Sequence, residues 1–135
     1  MSLAKAEQLD SGLDATDTRQ ALSRLVMKLF QLWELSTADQ LELLGLSPKS
    51  RAMLAKYSRG DALPATRDIQ DRVGWLLAIH KALRLLYPRN PELRYSWVTR
   101  RNAVFNNLPP LAVMKEQGLL GIARVSRYLD FYRGQ

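Results

Sequence analysis

The sequence predicts an all-α fold: a helix-turn-helix N-terminal half, a long central helix and a small helical C-terminal half. Three observations carry this expectation. Apolar residues recur at three and four positions along most of the chain, the period of a buried helix face. Ser36, Thr37 and Ser47 stand where helices would start, and Gly45, Gly60 and Gly118 where they would stop, in keeping with the chemistry of caps. Pro88, Pro91, Pro109 and Pro110 interrupt what would otherwise run on as helix, because proline has no amide proton and clashes with the preceding turn.

Element by element, Leu22, Leu25, Val26, Leu29 and Trp33 form one face of a helix over about 21–34. Ser36 with Asp39, or Thr37 with Gln40, supplies a capping box for a short helix that ends at Gly45. Ser47 and Pro48 open the next helix as N-cap and first helical residue, and it should run to about Gly60. From about Thr66 to Tyr87 comes the longest helix. Ile69, Val73, Leu76, Leu77, His80 and Leu83 make one apolar line, and Trp75, Ile79, Ala82 and Leu86 point in a second direction. A helix apolar on two sides needs a central position or a second subunit. Both are expected here, with a homodimer formed through Trp75, Ile79, Ala82 and Leu86. Pro110 can open a short helix that Gly118 ends. The last helix, from about Leu119 to Arg133, buries Ile122, Val125, Leu129 and Tyr132 and turns Arg124, Arg127 and Phe131 outward. The expected division is a mobile N-terminal arm over 1–18, a helix-turn-helix half over 19–64, a central dimerisation helix over 65–88 and a C-terminal binding domain over 89–135.

Composition narrows the function. The 135 residues contain no cysteine, which excludes disulfides and thiolate chemistry and favours a reducing, cytoplasmic home. The longest apolar tract, Val73 to Tyr87, is broken by His80, Lys81 and Arg84 and is too short and too charged to span a bilayer. Residues 1–18 hold one lysine against four acids, a net −3, so the rest of the chain carries +10. Such an excess points to a polyanion, an acidic protein surface, or both. No carboxylate pair, glycine-rich phosphate loop or nucleophile with a base stands out, so an enzyme is not expected. The single histidine, His80, reads as a hydrogen-bonded structural residue. A metal site would need further ligands, and neither metal nor cofactor is expected.

The segment STADQLELLGLSPKSRAMLAKYSRG reads as helix, glycine turn, helix, the arrangement that lays a second helix in the DNA major groove. Met53, Leu54 and Tyr57 cluster inward on a helical wheel, and Arg51, Ala52, Ala55, Lys56 and Arg59 fall opposite. Lys49, Ser50, Arg51, Lys56 and Arg59 are the candidate DNA-binding residues. A solvated cationic helix in a bundle is the alternative.

Three stretches, GLSPKSRAMLAKYSRGDALP, DRVGWLLAIHKALRLLYP and WVTRRNAVFNNLPPLAVMKEQGLLGIARVSRYLD, together resemble the Xre/MbcA/ParS family of antitoxins over about residues 20–132. The more specific part is C-terminal: Trp97, Asn102, Phe105, a two-residue turn, Pro110-Leu111, Met114, Gly118 and Leu129-Asp130. The resemblance implies a DNA-binding half, which would act on its own operon, and a toxin-binding half. The usual partner would be a RES-domain toxin of ADP-ribosyltransferase-like fold that degrades NAD. Asn106 and Asn107 stand where members of that family often carry glycine, and asparagine tolerates positive φ better than most residues. The expected toxin-binding set is Arg100, Arg101, Asn102, Asn106, Asn107, Arg124, Arg127, Phe131 and Arg133. The turn at 100–107 either orders the C-terminal half or presents its cations and amides to a partner, and the two roles are compatible. A freestanding helix-turn-helix regulator, with a C-terminal half that only dimerises, is the alternative reading.

Overall fold

Seven α-helices make up most of the described chain, residues 15–135 of a computed structural model. They are α1 (Ala15–Leu32), α2 (Thr37–Leu44), α3 (Leu54–Ser58), α4 (Arg67–Leu86), α5 (Pro91–Ser96), α6 (Pro110–Gln117) and α7 (Leu119–Arg133). Short 3₁₀ turns cover Pro48–Met53, Trp97–Thr99 and Ala103–Phe105. No strand occurs among the described residues, so the fold is all-α as the periodicity implied. Most of the arm expected over 1–18 lies outside the described residues.

The position of α4 follows from its two apolar sides. It packs against α1 and α2 on one side and against α7 and α5 on the other. Leu76, Ile79 and Leu83 are wholly buried, and Ala82 is nearly so. This corrects the expectation that Ile79 and Ala82 would form a free dimerisation surface. Both are covered within one chain, because α7 runs along the face that the sequence left without a partner. Trp75 and Leu86 are half-buried and pack against the same core.

Helix α1 starts at Ala15, earlier than the apolar spacing indicated. Its first turns are held by polar contacts: Arg19 Nη1 donates to the Leu63 carbonyl at 3.1 Å. The buried Ser23 hydroxyl accepts from Leu63 N at 2.9 Å and donates to Arg19 O at 2.9 Å. The buried face is formed by Val26, Met27, Leu29, Phe30 and Trp33, and Leu25, expected inside, is 56% exposed. Contact with both α3 and α4 sets this face, and the periodicity of α1 alone does not register the offset.

Helix α2 begins on Ser36, whose side chain accepts from Asp39 N at 3.1 Å. It ends on Gly45 at φ 70, a left-handed conformation that glycine adopts without a β-carbon penalty. A β-carbon at Gly45 would also crowd the Arg72 guanidinium. Thr66 caps α4 by accepting from Ile69 N at 3.2 Å. In α7 Ile122, Val125 and Leu129 are buried as expected, whereas Tyr132 is half exposed, with its ring 6.1 Å from that of Tyr128. Gly121 is buried where α7 meets α6, and a β-carbon there would strike the Val113 carbonyl. Only glycine allows that approach.

Two polar links tie α2 to the rest of the chain, one to α4 and one to α6. Arg72 donates from Nε to Asp68 at 2.9 Å and from Nη1 to the carbonyls of Glu42 and Leu43 at 3.3 and 3.2 Å. It thereby supplies a donor to the Leu43 carbonyl at the end of α2 and a second one to the Glu42 carbonyl, which also accepts from Gly45 N at 3.1 Å. Lys115 of α6 lies 2.8 Å from Asp39 of α2, and this hydrogen bond, with the attraction of the carboxylate, raises the lysine above its ordinary pKa.

Candidate functional site

Two basic faces are built differently. The first is the second element of the helix-turn-helix. The sequence implied one helix from Pro48 to about Gly60; the chain instead forms a 3₁₀ turn over Pro48–Met53 and a five-residue α3. The cause is local. The Ser47 side chain accepts from Lys49 N at 3.1 Å, and Ser50 N bonds to Ser47 O at 2.9 Å, a tight three-residue closure.

With three residues per turn, positions i and i+3 eclipse. Ser50 therefore shares the inward side with Met53 and is half-buried, a correction to its place among outward contacts. Lys49, Arg51, Lys56 and Arg59 are exposed as expected, and Leu54 and Tyr57 are buried. No ion pair or side-chain hydrogen bond engages any of these four cations among the described residues.

The second face joins the turn after α5 to α7. Asn102 organises the turn. Its side-chain oxygen accepts from Val104 N at 3.0 Å, its carbonyl accepts from Phe105 N and Asn107 N, each at 3.0 Å, and its own N–H reaches Leu108 O at 3.2 Å. The side-chain oxygen and both backbone groups of Asn102 are thus occupied within the chain. Asn106 and Asn107 sit at φ 56 and φ 63 and are exposed; asparagine does take the left-handed geometry the turn requires. Phe105 is buried and meets the Tyr128 ring edge-on at 5.4 Å, while Tyr128 stacks on Trp97 at 6.4 Å. The turn is anchored from inside by aromatic rings and shows amides outside.

The arginines of α7 rest on rings. The Arg124 guanidinium lies 5.4 Å from the Phe105 centroid, and that of Arg127 lies 5.7 Å from the Trp75 centroid. Both remain exposed. Phe131 is 68% exposed and, outside the anticipated set, Leu120 is 78% exposed. Val104 and Leu108 of the turn are also exposed apolar residues. Leu120 was legible in principle, since 120, 124, 127 and 131 lie at helical spacing. Arg133 is paired with Asp130 at 3.2 Å, and Arg100 donates to Ser96 Oγ at 2.8 Å and lies 3.8 Å from Glu92. Arg101 is exposed.

Residues 82–134 match the family described as the antitoxin Xre/MbcA/ParS C-terminal toxin-binding domain. The match covers 53 of the 135 residues. No curated protein and no solved structure matches the chain. The matched region comprises the end of α4 and all of α5, α6 and α7, and it contains the turn and both stacked arginines. A toxin is accordingly the partner class of this part of the chain.

His80 lies just outside that domain and does not hydrogen-bond as expected. Its Nδ1 is buried without a partner, and its ring stacks on Tyr95 at 6.1 Å. Burial, reinforced by Arg84 and Arg94, lowers its pKa. Among the described residues no group of three or more His, Cys, Asp or Glu could hold a metal ion. No described helix is long and apolar enough to cross a membrane.

Proposed function

We propose that the chain is the antitoxin of a type II toxin–antitoxin pair, a cytoplasmic binding protein and not an enzyme. It binds and neutralises a RES-domain, NAD-degrading toxin. Residues 100–107 and the outward face of α7 form the contact, and a cation or amide set at the toxin's substrate entrance blocks turnover. The observation that carries this reading is a pair of exposed, ring-seated arginines inside a domain of toxin-binding family. Cations held in place lose little freedom on binding, which suits a shaped protein partner.

The same reading assigns the N-terminal half to operator DNA, with Lys49, Arg51, Lys56 and Arg59 on phosphates and autorepression as the outcome. A homodimer bringing two such halves to an operator would use a surface other than Ile79 and Ala82. The freestanding-regulator reading draws on those four unpaired cations, which need no toxin to explain them. Co-expression with a RES-domain toxin separates the two. Co-purification and restored growth are expected, and a triple variant Arg124→Ala, Arg127→Ala, Phe131→Ala should lose both while remaining helical. Toxin still captured and silenced by that variant would remove this surface from consideration.

A further inference from the structure

Leu120, Arg124, Arg127 and Phe131 follow one another on α7 at steps of four, three and four residues, so they form one stripe along a helix. Eleven residues at the helical rise give it a length of about 16 Å. Its ends are apolar and open to solvent, Leu120 at 78% and Phe131 at 68% exposure. Its middle is a like-charged pair on adjacent turns, an arrangement that repels itself in isolation. No carboxylate of the described chain pairs with Arg124 or Arg127. By contrast, the neighbouring Arg133 and Arg100 are already engaged with Asp130 and with Ser96 and Glu92. The two unpaired guanidinium groups are held over Phe105 and Trp75. These ring contacts bias the two side chains toward those positions before any partner arrives.

A 4-3-4 spacing is the one that keeps a helical seam facing a second helix at a shallow crossing angle. From this we infer that the stripe is the seat for an acidic amphipathic helix of the partner, one carrying two carboxylates bracketed by apolar residues at the same spacing. The net charge favours this occupant, since residues 81–135 hold ten basic and three acidic residues. Bidentate arginine–carboxylate pairing in the middle and apolar burial at both ends would divide specificity from affinity. The inference rests on the antitoxin reading for the identity of the partner, a toxin, and on the stripe itself for its chemistry.

The test uses the full chain and two helix-forming peptides, identical except at the two central positions. One carries leucine, glutamate, glutamate and leucine at the 4-3-4 spacing, and the other has lysine in place of each glutamate. Fluorescence anisotropy should show the acidic peptide bound at least about tenfold more tightly than the basic one. The double variant Arg124→Glu, Arg127→Glu should reverse that order, with circular dichroism unchanged. Leu120→Ala with Phe131→Ala should weaken the acidic peptide without reversing the order. Equal binding of both peptides, or an unchanged order in the double glutamate variant, overturns the inference. Capture of a co-expressed RES-domain toxin is the second arm. If the unaltered chain and the double glutamate variant capture it equally, the helix seat is wrong and the antitoxin reading stands. If the unaltered chain captures no such toxin yet discriminates the peptides, the antitoxin reading falls and the seat remains.

Discussion

The cations of the N-terminal half and those of the C-terminal half are both outward, but they are held differently. Lys49, Arg51, Lys56 and Arg59 extend from a short, tightly wound element without ion-pair partners, whereas Arg124 and Arg127 lie over Phe105 and Trp75. A free cation can follow a phosphate backbone of any sequence, and its contribution falls steeply with salt. A seated guanidinium presents a fixed plane and rewards a partner of matching shape. All six of these side chains are exposed cations, and the surroundings of the side chain distinguish their uses.

The largest expected effect tests whether these halves are one folding unit. Ile79 is fully buried on α4, between the two sets of helices. Ile79→Ala should cost about 3 kcal/mol by leaving a cavity, lower the unfolding midpoint of the whole chain in a single transition, and leave its molecular mass in light scattering unchanged. Two separate transitions, or a change in mass with no loss of stability, would restore the dimer-surface reading of this residue.

Next in size is the turn. Asn107→Ala places an alanine at φ 63 and should destabilise by about 1 kcal/mol, while Asn107→Gly should be nearly neutral. Chemical denaturation of both variants checks it, and equal losses would show that the side-chain amide, rather than the backbone, is what the position needs.

The arginine comparison itself predicts a smaller difference. Arg124→Ala and Arg127→Ala should each lose about 0.5 kcal/mol through the missing ring contact, whereas Lys56→Ala and Arg59→Ala should fall within scatter of the unaltered protein. The pair Lys56→Ala, Arg59→Ala should instead flatten the salt dependence of operator binding by about two units of log–log slope. If the α7 variants flatten it and the α3 variants do not, the roles of the two faces are exchanged.

The smallest effect concerns pH. The pKa of His80 is lowered in the folded chain, so the unfolded state takes up its proton first as pH falls. Stability from this residue is therefore present at neutral pH and declines below about 6.5, the ordinary histidine value. Denaturation curves at pH 7.5 and 5.5 should differ less for His80→Gln than for the unaltered chain.

Much of the local structure was legible. Thr66 before an apolar run placed the start of α4, Pro110 and Gly118 bracketed α6, and the spacing of Ile122, Val125 and Leu129 assigned the buried face of α7. These are interactions over three or four residues, and such spacing is written in the chain. The outward face of α7 was read from the same periodicity, although Leu120 was passed over because an isolated exposed leucine carries no signal of its own. The tight 3₁₀ start at Pro48 was missed because a serine followed by proline opens an α-helix and a 3₁₀ turn alike.

What the sequence determined alone is therefore most of the helices and several of their caps, though not α5 or its Asn90 cap, together with the excess of positive charge. Only the tertiary structure decided which neighbour each apolar side would meet. It put α7 over Ile79 and Ala82, tied Arg19 and Ser23 to a loop some forty residues away, and brought Phe105 and Trp75 beneath two arginines of α7. A periodic pattern specifies that a face must be covered and leaves open by what, because burial is non-directional and roughly proportional to area whichever surface supplies it.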